Sequence, residues 1–356
     1  MIATTSSDQT VRLWDRASLT LTSILHGHES EVWCAAFSPD GRLLATGGKD
    51  HIVMLWPTAT AILSESDLPH DRDCRPLFSP DGKWLATVTP GSYGAALWNT
   101  EKAMEKHPFE AKEVEGFSRN GKLAVVLDIV EMKLEFWRLD DLTQQSQVLL
   151  AGPLPEEKRF ACTGMSPDCG VFFAIDSTGV IRLWNTENGQ LRRAIPGPAP
   201  RIRNAVLSCG GRYVAVSVER DYFVHLYDCA NGAERHLAGH IDFVSGLSFS
   251  PDGGTLATGS VDGTIRLWNV ASGQTIASLT GHMEEASDVA FSPDGQTLAS
   301  VGHNETVRLW HVPTRREMLS ETMTNAGLWL QFSPDGRKLA VTTDDDHVRL
   351  LEAPPE

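Results

Sequence analysis

From Val244 to Leu279 short apolar-rich runs alternate with tight polar breaks. Val244–Phe249 reads as a first strand, and Ser250-Pro251-Asp252-Gly253 follows with Ser, Pro and Gly where a type I turn favours them. Thr255–Thr258 is a second strand, Val261-Asp262-Gly263 a second turn, and Thr264–Trp268 a third strand. Ala271-Ser272-Gly273 then turns the chain into Thr275–Leu279, a fourth. Four short strands joined by hairpin turns predict an antiparallel meander. Both of its faces are apolar, so it needs neighbours to stack on.

The sequence supplies the neighbours. Intact copies of the first turn, each led by an apolar residue, lie at Phe37–Gly41, Phe78–Gly82, Phe249–Gly253, Phe291–Gly295 and Phe332–Gly336. Worn copies lie at Phe117–Gly121, Met165–Gly170 and Leu207–Gly211. Successive leading residues are 41, 39, 48, 42, 42, 42 and 41 positions apart. A fixed period of this size marks a repeat architecture, and a ring of four-stranded sheets leaves only short, protected edges. Residues shared by every repeat read as structural, so specificity must come from what breaks the pattern.

Gly-His, then Ser-Pro-Asp-Gly, then Asp, then Leu-Trp-Asp/Asn at this spacing resembles the WD-repeat β-propellers, and the resemblance covers essentially the whole chain. Trp14, Trp56, Trp98, Trp137, Trp184, Tyr227, Trp268 and Trp310 take the third-strand position. The resemblance implies an all-β fold, a β-propeller of four-stranded antiparallel blades, eight in number with seven as the alternative. It also implies a buried hydrogen-bond chain of His, Ser/Thr, Asp and Trp within a blade. His28, Thr46, Asp50, Trp56 and His240, Thr258, Asp262, Trp268 match it, and His282, Ser300, Asn304, Trp310 match with Asn for Asp. All three sets share offsets of 18, 4 and 6. Leaving one buried partner unpaired costs about 1–3 kcal/mol, so His240→Ala is expected to destabilise the fold more than it impairs any activity.

Residues 1–356 read as a single propeller. Within it, 1–27 is a partial repeat contributing to ring closure, 28–320 holds seven complete repeats, and 321–356 is a final repeat lacking its fourth strand. The pattern decays over 69–236: Gly91 stands where Asp is expected, Ile129 or Glu131 stands there in the next blade, and the blade of Ser217, Asp221 and Tyr227 lacks the His. Gln144–Glu157, with Pro153 and Pro155, reads as a long surface loop. For closure, the strand near Leu19–Leu25 can pair beside Val348–Leu351, which leaves Ile2–Trp14 as surplus strands. Either these lie against the seam or the chain begins partway into a longer reading frame.

A formal net charge of −15 disfavours binding to nucleic-acid phosphates or an anionic membrane surface. No apolar stretch is long enough to span a bilayer, and the N-terminus lacks a signal-peptide pattern, so a cytoplasmic protein is expected. The six cysteines include no Cys-x-x-Cys pair, and Cys34 and Cys162 read as small buried strand thiols.

No catalytic constellation emerges, and no enzyme activity, cofactor or metal site is expected. His28, His240 and His282 fall one per blade and cannot converge on one ion. Asp344-Asp345-Asp346 lacks the spacing of a calcium loop. Arg12, Arg182, Arg266, Arg308 and Arg349, two residues before the third-strand aromatic or its equivalent, read as structural arginines rather than a nucleic-acid stripe.

What remains is surface. In WD-repeat propellers partners dock where the first strand begins and the second turn lies. The corresponding positions are Glu31, Trp33 and Lys49; Phe243, Ser245 and Val261; Glu285, Ser287 and His303; and Leu328 with Trp329. Trp33 and Phe243 either anchor a partner or pack between blades. The reading is therefore a non-catalytic scaffold or sensor for a protein or peptide partner. Its turns resemble those of bacterial multidomain signalling proteins, in which such arrays follow a kinase or nucleotide-hydrolysing domain. The alternative is a propeller enzyme, a hydrolase or oxidoreductase, with Glu31, Glu285 and His303 converging on the central channel.

Overall fold

The computed structural model describes all residues except 1, 15–20, 26, 27, 29, 38–42, 50–52, 58–65, 70–74, 89–94, 100–104, 110–112, 119, 129, 142, 153–159, 199, 200, 220, 304, 305, 324, 345, 346 and 353–356. The described residues form seven four-stranded antiparallel sheets and two three-stranded ones. Blades I to VII, in chain order, open with Arg75–Phe78, Glu113–Phe117, Phe160–Met165, Ile202–Leu207, Val244–Phe249, Ala286–Phe291 and Gly327–Phe332. One three-stranded sheet holds Ile2–Thr5, Val11–Trp14 and Leu21–Leu25; the other holds Val32–Phe37, Leu43–Gly48 and Val53–Pro57. The eight recurrent turn sequences thus follow eight first strands, and the first of these strands heads a sheet of three. Gln144–Leu149, placed in a loop by its polarity, is the fourth strand of blade II. Its mostly exposed side chains explain the polar sequence: an outer-edge strand has little apolar surface to bury.

Each described Ser-Pro-Asp-Gly turn is closed by its own side chains. The Gly253 N–H donates to the Ser250 carbonyl at 2.8 Å, and Ser250 Oγ donates to Asp252 Oδ1. The N–H groups of Gly254 and Thr255 donate to Asp252 Oδ1 and Ser250 Oγ. Gly253 has φ +69°, a left-handed conformation that glycine adopts without strain. In blade III that place falls on Cys169, with φ +59°, and not on Gly170.

The core lies between sheets rather than within them. Seven apolar clusters join I with II, II with III, III with IV, IV with V, V with VI, VI with VII, and VII back to I. The last packs Ala340, Val348 and Leu350 against Phe78, Leu85 and Trp98. Side chains on the first strands stitch the same neighbours. Asn204 Nδ2 donates to the Ser245 carbonyl, and the Phe291 N–H donates to Ser248 Oγ. The Leu330 N–H donates to Asp288 Oδ2, and the Phe78 N–H donates to Gln331 Oε1 at 2.7 Å. The cycle of seven is closed.

The outer edge of blade VII is completed by Ser66–Pro69, antiparallel, with Leu68 opposite Val348. The sequence reading placed Leu19–Leu25 there and left residues 321–356 without a fourth strand. Leu21–Leu25 pairs instead with Val11–Trp14 and runs beside Arg316–Thr322, the outer strand of blade VI. Chain connectivity explains the choice. Ser66–Pro69 directly precedes the first strand of blade I, as each outer strand precedes the next blade's first strand. The two three-stranded sheets pack on each other through Val11, Leu13, Leu25, Val32 and Leu44.

Candidate functional site

The first strands of blades III to VII, and Val32–Phe37, all slip register four residues before the apolar residue that leads into the turn, and that of blade II slips two residues before it. The skipped residues are Glu115, Ala161, Arg203, Ser245, Ser287, Leu328 and Trp33. A bulge leaves one residue unpaired and re-aims its side chain. Four of the sequence-derived positions, Trp33, Ser245, Ser287 and Leu328, are therefore the bulge residues of their strands. The second-turn positions are tied to the first strand in parallel fashion: the N–H groups of Lys49, Val261 and His303 donate to the carbonyls of Glu31, Phe243 and Glu285.

In the ring these positions converge. Glu285 Oε1 accepts from Ser245 Oγ at 2.5 Å and from Arg203 Nη2 at 2.9 Å, so one carboxylate ties blades IV, V and VI. His303 Nδ1 lies 3.9 Å from Glu285 Oε2. Ser287 Oγ is buried with no hydrogen-bond partner among the described residues. Phe243 is half-buried and its ring lies 5.6 Å from that of Tyr222. Val261, Leu328 and Trp329 are half-buried.

Trp33, Glu31 and Lys49 form a separate group on the three-stranded sheet. Trp33 is 63% exposed and donates through Nε1 to Glu31 Oε2. Lys49 Nζ donates to Glu31 Oε1 at 3.1 Å, and this bond, with that from Trp33, holds the Glu31 carboxyl below its ordinary range. Glu285 and His303 lie together, whereas among the described residues the Glu31 carboxylate pairs with Trp33 and Lys49. Cys34 is exposed rather than buried: among the described residues Val32–Phe37 packs beyond its own sheet chiefly against Ile2–Thr5. Cys162 is half-buried.

Sequence reasoning passed over Arg203, Tyr222, Ile241 and Met283. Arg203 was within reach, since it precedes Ser245 by the same 42 positions that separate Ser245 from Ser287. Ile241 and Met283 directly follow the tetrad histidines on adjoining blades and are 80% and 89% exposed. Their signal was an apolar residue twice repeated after Gly-His.

The blade V tetrad is intact. Trp268 Nε1 donates to Thr258 Oγ1 at 2.9 Å, His240 Nε2 meets Thr258 Oγ1 at 2.7 Å, and His240 Nδ1 meets Asp262 Oδ2 at 2.9 Å. Assigning each proton along that chain gives a neutral imidazole, Nδ1–H donating to Asp262 and Nε2 accepting from Thr258. Burial pushes the His240 pKa down, against the pull of Asp262. Burial would raise Asp262, but hydrogen bonds from Thr264, the Ile241 N–H and His240 outweigh it and hold the carboxyl low. In blade VI, Ser300 Oγ meets His282 Nε2 at 2.7 Å and accepts from Trp310 Nε1 at 2.8 Å. His28 meets Thr46 at 2.9 Å. Asp50, Asn304 and the side chain of Trp56 lie outside the described residues, as do Asp345 and Asp346.

Three of the recurrent arginines pair close by: Arg182 with buried Asp176, Arg308 with Glu317, and Arg12 with Asp8. Among the described residues no helix is long and apolar enough to cross a membrane.

Residues 19–57, 233–269 and 273–311 match the family model "WD domain, G-beta repeat". Protein tipD of Dictyostelium discoideum is 26% identical over 269 residues, covering 71% of this chain and 42% of its own. Telomerase protein component 1 of Mus musculus is 24% identical over 298 residues, covering 76% of this chain and 11% of its own. Target of rapamycin complex subunit LST8 of Mus musculus is 22% identical over 291 residues, 79% of this chain and 76% of its own. The chain thus spans less than half the length of the first two relatives, and all three are eukaryotic. WD40 repeats are found in three segments of the chain.

Proposed function

We propose that this ring, in which the segments of blades V and VI match the WD-repeat model, is an interaction platform docking a protein or peptide segment on the rim of blades IV to VI. One observation carries the reading: Ile241 and Met283 stand 80% and 89% exposed at equivalent places on adjoining blades. Large apolar side chains held in water beside polar groups mark a surface built for a partner. Phe243 with Tyr222 supplies aromatic anchors there, and Glu285 with Arg203 supplies directional polar contacts. The relatives accord with it, since LST8 is by name a subunit of a complex. The rest of the face, Ser245, Val261, Ser287, His303, Leu328 and Trp329, extends this rim. Glu31, Trp33 and Lys49 form a second patch.

Affinity capture with the wild type, Phe243→Ala, and the double variant Ile241→Asp with Met283→Asp tests the reading. Recovery of a partner should fall at least tenfold in the double variant while its melting temperature stays within a few degrees of wild type. Equal recovery from all three folded proteins overturns it. We further propose that the array works in the cytoplasm as part of a larger signalling chain, of the bacterial kind, with a kinase or nucleotide-hydrolysing domain. Sequencing the DNA upstream of the Met1 codon tests that: an open frame into such a domain supports it, and a nearby in-frame stop codon overturns it.

A further inference from the structure

We propose that the outer part of blade IV binds one divalent first-row transition ion, zinc by its donor set, through His225, Glu234 and His236. The starting point is a departure from the repeat. In blades III, V and VI the third and fourth strands slip register at the recurrent Trp, and an arginine stands two residues before it. Blade IV has no such slip, and its arginine is replaced by His225. His225 therefore lies directly opposite His236, and Tyr227 opposite Glu234. Residues two apart on a strand share a face, so all four side chains project from the same side of the sheet. At the matching place in blade VI, Arg308 pairs with Glu317. A guanidinium can only donate, whereas a neutral imidazole offers a lone pair to a metal.

The donor atoms of His225, Glu234 and His236 all lie within 4.8 Å of one another. Glu234 Oε1 is 2.6 Å from His225 Nδ1 and 3.0 Å from His236 Nε2. Two imidazoles and one carboxylate around a tetrahedral ion, with bonds of about 2.0–2.2 Å, leave one position open. The surrounding groups are those that orient metal ligands. Asp221 Oδ2 lies 3.2 Å from His225 Nε2, the ring nitrogen facing away from Glu234. A carboxylate there fixes the tautomer and the orientation of the ring. Tyr227 OH donates to Glu234 Oε1 at 2.9 Å, and Phe223 stacks on the His236 ring with centroids 4.5 Å apart. His225 is nearly buried while the His236 side chain is 53% exposed, so an ion can enter from that side.

Untagged, metal-free protein titrated with Co²⁺ and separately with Zn²⁺ tests the site. One equivalent of Co²⁺ should bind with the intense visible bands of a tetrahedral centre, and Zn²⁺ should displace it and raise the melting temperature. His236→Ala and Glu234→Gln should abolish the spectrum, and Asp221→Asn should weaken binding about 10–100-fold. His303→Ala should change nothing. Absence of stoichiometric binding in the wild type, or an undiminished spectrum in folded His236→Ala and Glu234→Gln proteins, overturns the proposal. Either result would leave Glu234 as a structural acceptor for two histidines and a tyrosine.

Discussion

Val32–Phe37 and Val244–Phe249 carry the same signature yet sit in different surroundings. Each strand follows a His 18 residues before a buried Thr, and each bulges at its second residue. In the ring, Val244, Ser245, Gly246 and Leu247 are all buried against neighbours. In the three-stranded sheet, Trp33, Cys34, Ala35 and Ala36 are exposed. A repeat sequence thus specifies a meander. Which meanders become blades is decided by the edges left for them, and here Ser66–Pro69 has taken the closing edge of blade VII.

Equivalent glycines give the sharpest way to break that contrast. A Cβ on Gly259 would lie 2.7 Å from the Ala286 carbonyl oxygen of the next blade, a backbone atom with nowhere to go. Among the described residues a Cβ on Gly47 would meet only the Cys34 Sγ of its own sheet, at 3.1 Å. Gly259→Ala is therefore expected to cost about 1–3 kcal/mol by overpacking, and Gly47→Ala well under half of that, both read by urea unfolding. Equal losses would place a neighbour beside Val32–Phe37.

A smaller effect arises from protonation. Because burial depresses His240, the unfolded chain takes up the proton first as pH falls. The stability it contributes is complete above about pH 6.5 and is lost as pH falls toward the folded-state pKa. Asp252 and Asp294, held low chiefly by their turn serines, contribute stability above about pH 4 that disappears in stronger acid. Melting temperature should thus hold above pH 7, sag between 7 and 5, and drop steeply below 4. In His240→Gln the sag between 7 and 5 should shrink. A sag of the same depth would remove His240 as its cause.

The smallest expected change is a gain. Cys169→Gly relieves a side chain from the left-handed region and should stabilise blade III by about 1 kcal/mol, with Gly170→Ala giving no such gain. No rise in midpoint for Cys169→Gly would mean that the cysteine's surroundings offset its backbone strain.

Much of this was legible because the turns are chemically self-contained. Ser250, Asp252 and Gly253 satisfy one another, so their recurrence located every first strand. The blade V tetrad was readable for the same reason, since its offsets encode hydrogen bonds within one sheet. Ring closure was not, because Ser66–Pro69 has no apolar pattern and its role depends only on its place just before the first strand of blade I. Arg203 was readable from its spacing to Ser245 but was passed over because blade IV lacks the His that frames the pattern, and the His225–Glu234–His236 cluster was hidden by an absent bulge. The exposure of Cys34 depends on what packs beside its sheet among the described residues, a property of the assembly rather than of the strand.

The central claim is that Ser66–Pro69, and not Leu21–Leu25, closes a seven-membered ring. Facing residues in an antiparallel pair have Cα atoms about 4.5–5.5 Å apart, within disulfide range. With the six native cysteines replaced, Leu68→Cys with Val348→Cys should cross-link rapidly under mild oxidation and raise the melting temperature, whereas Ile24→Cys with Val348→Cys should stay reduced. Efficient cross-linking of the second pair and not the first would contradict the account.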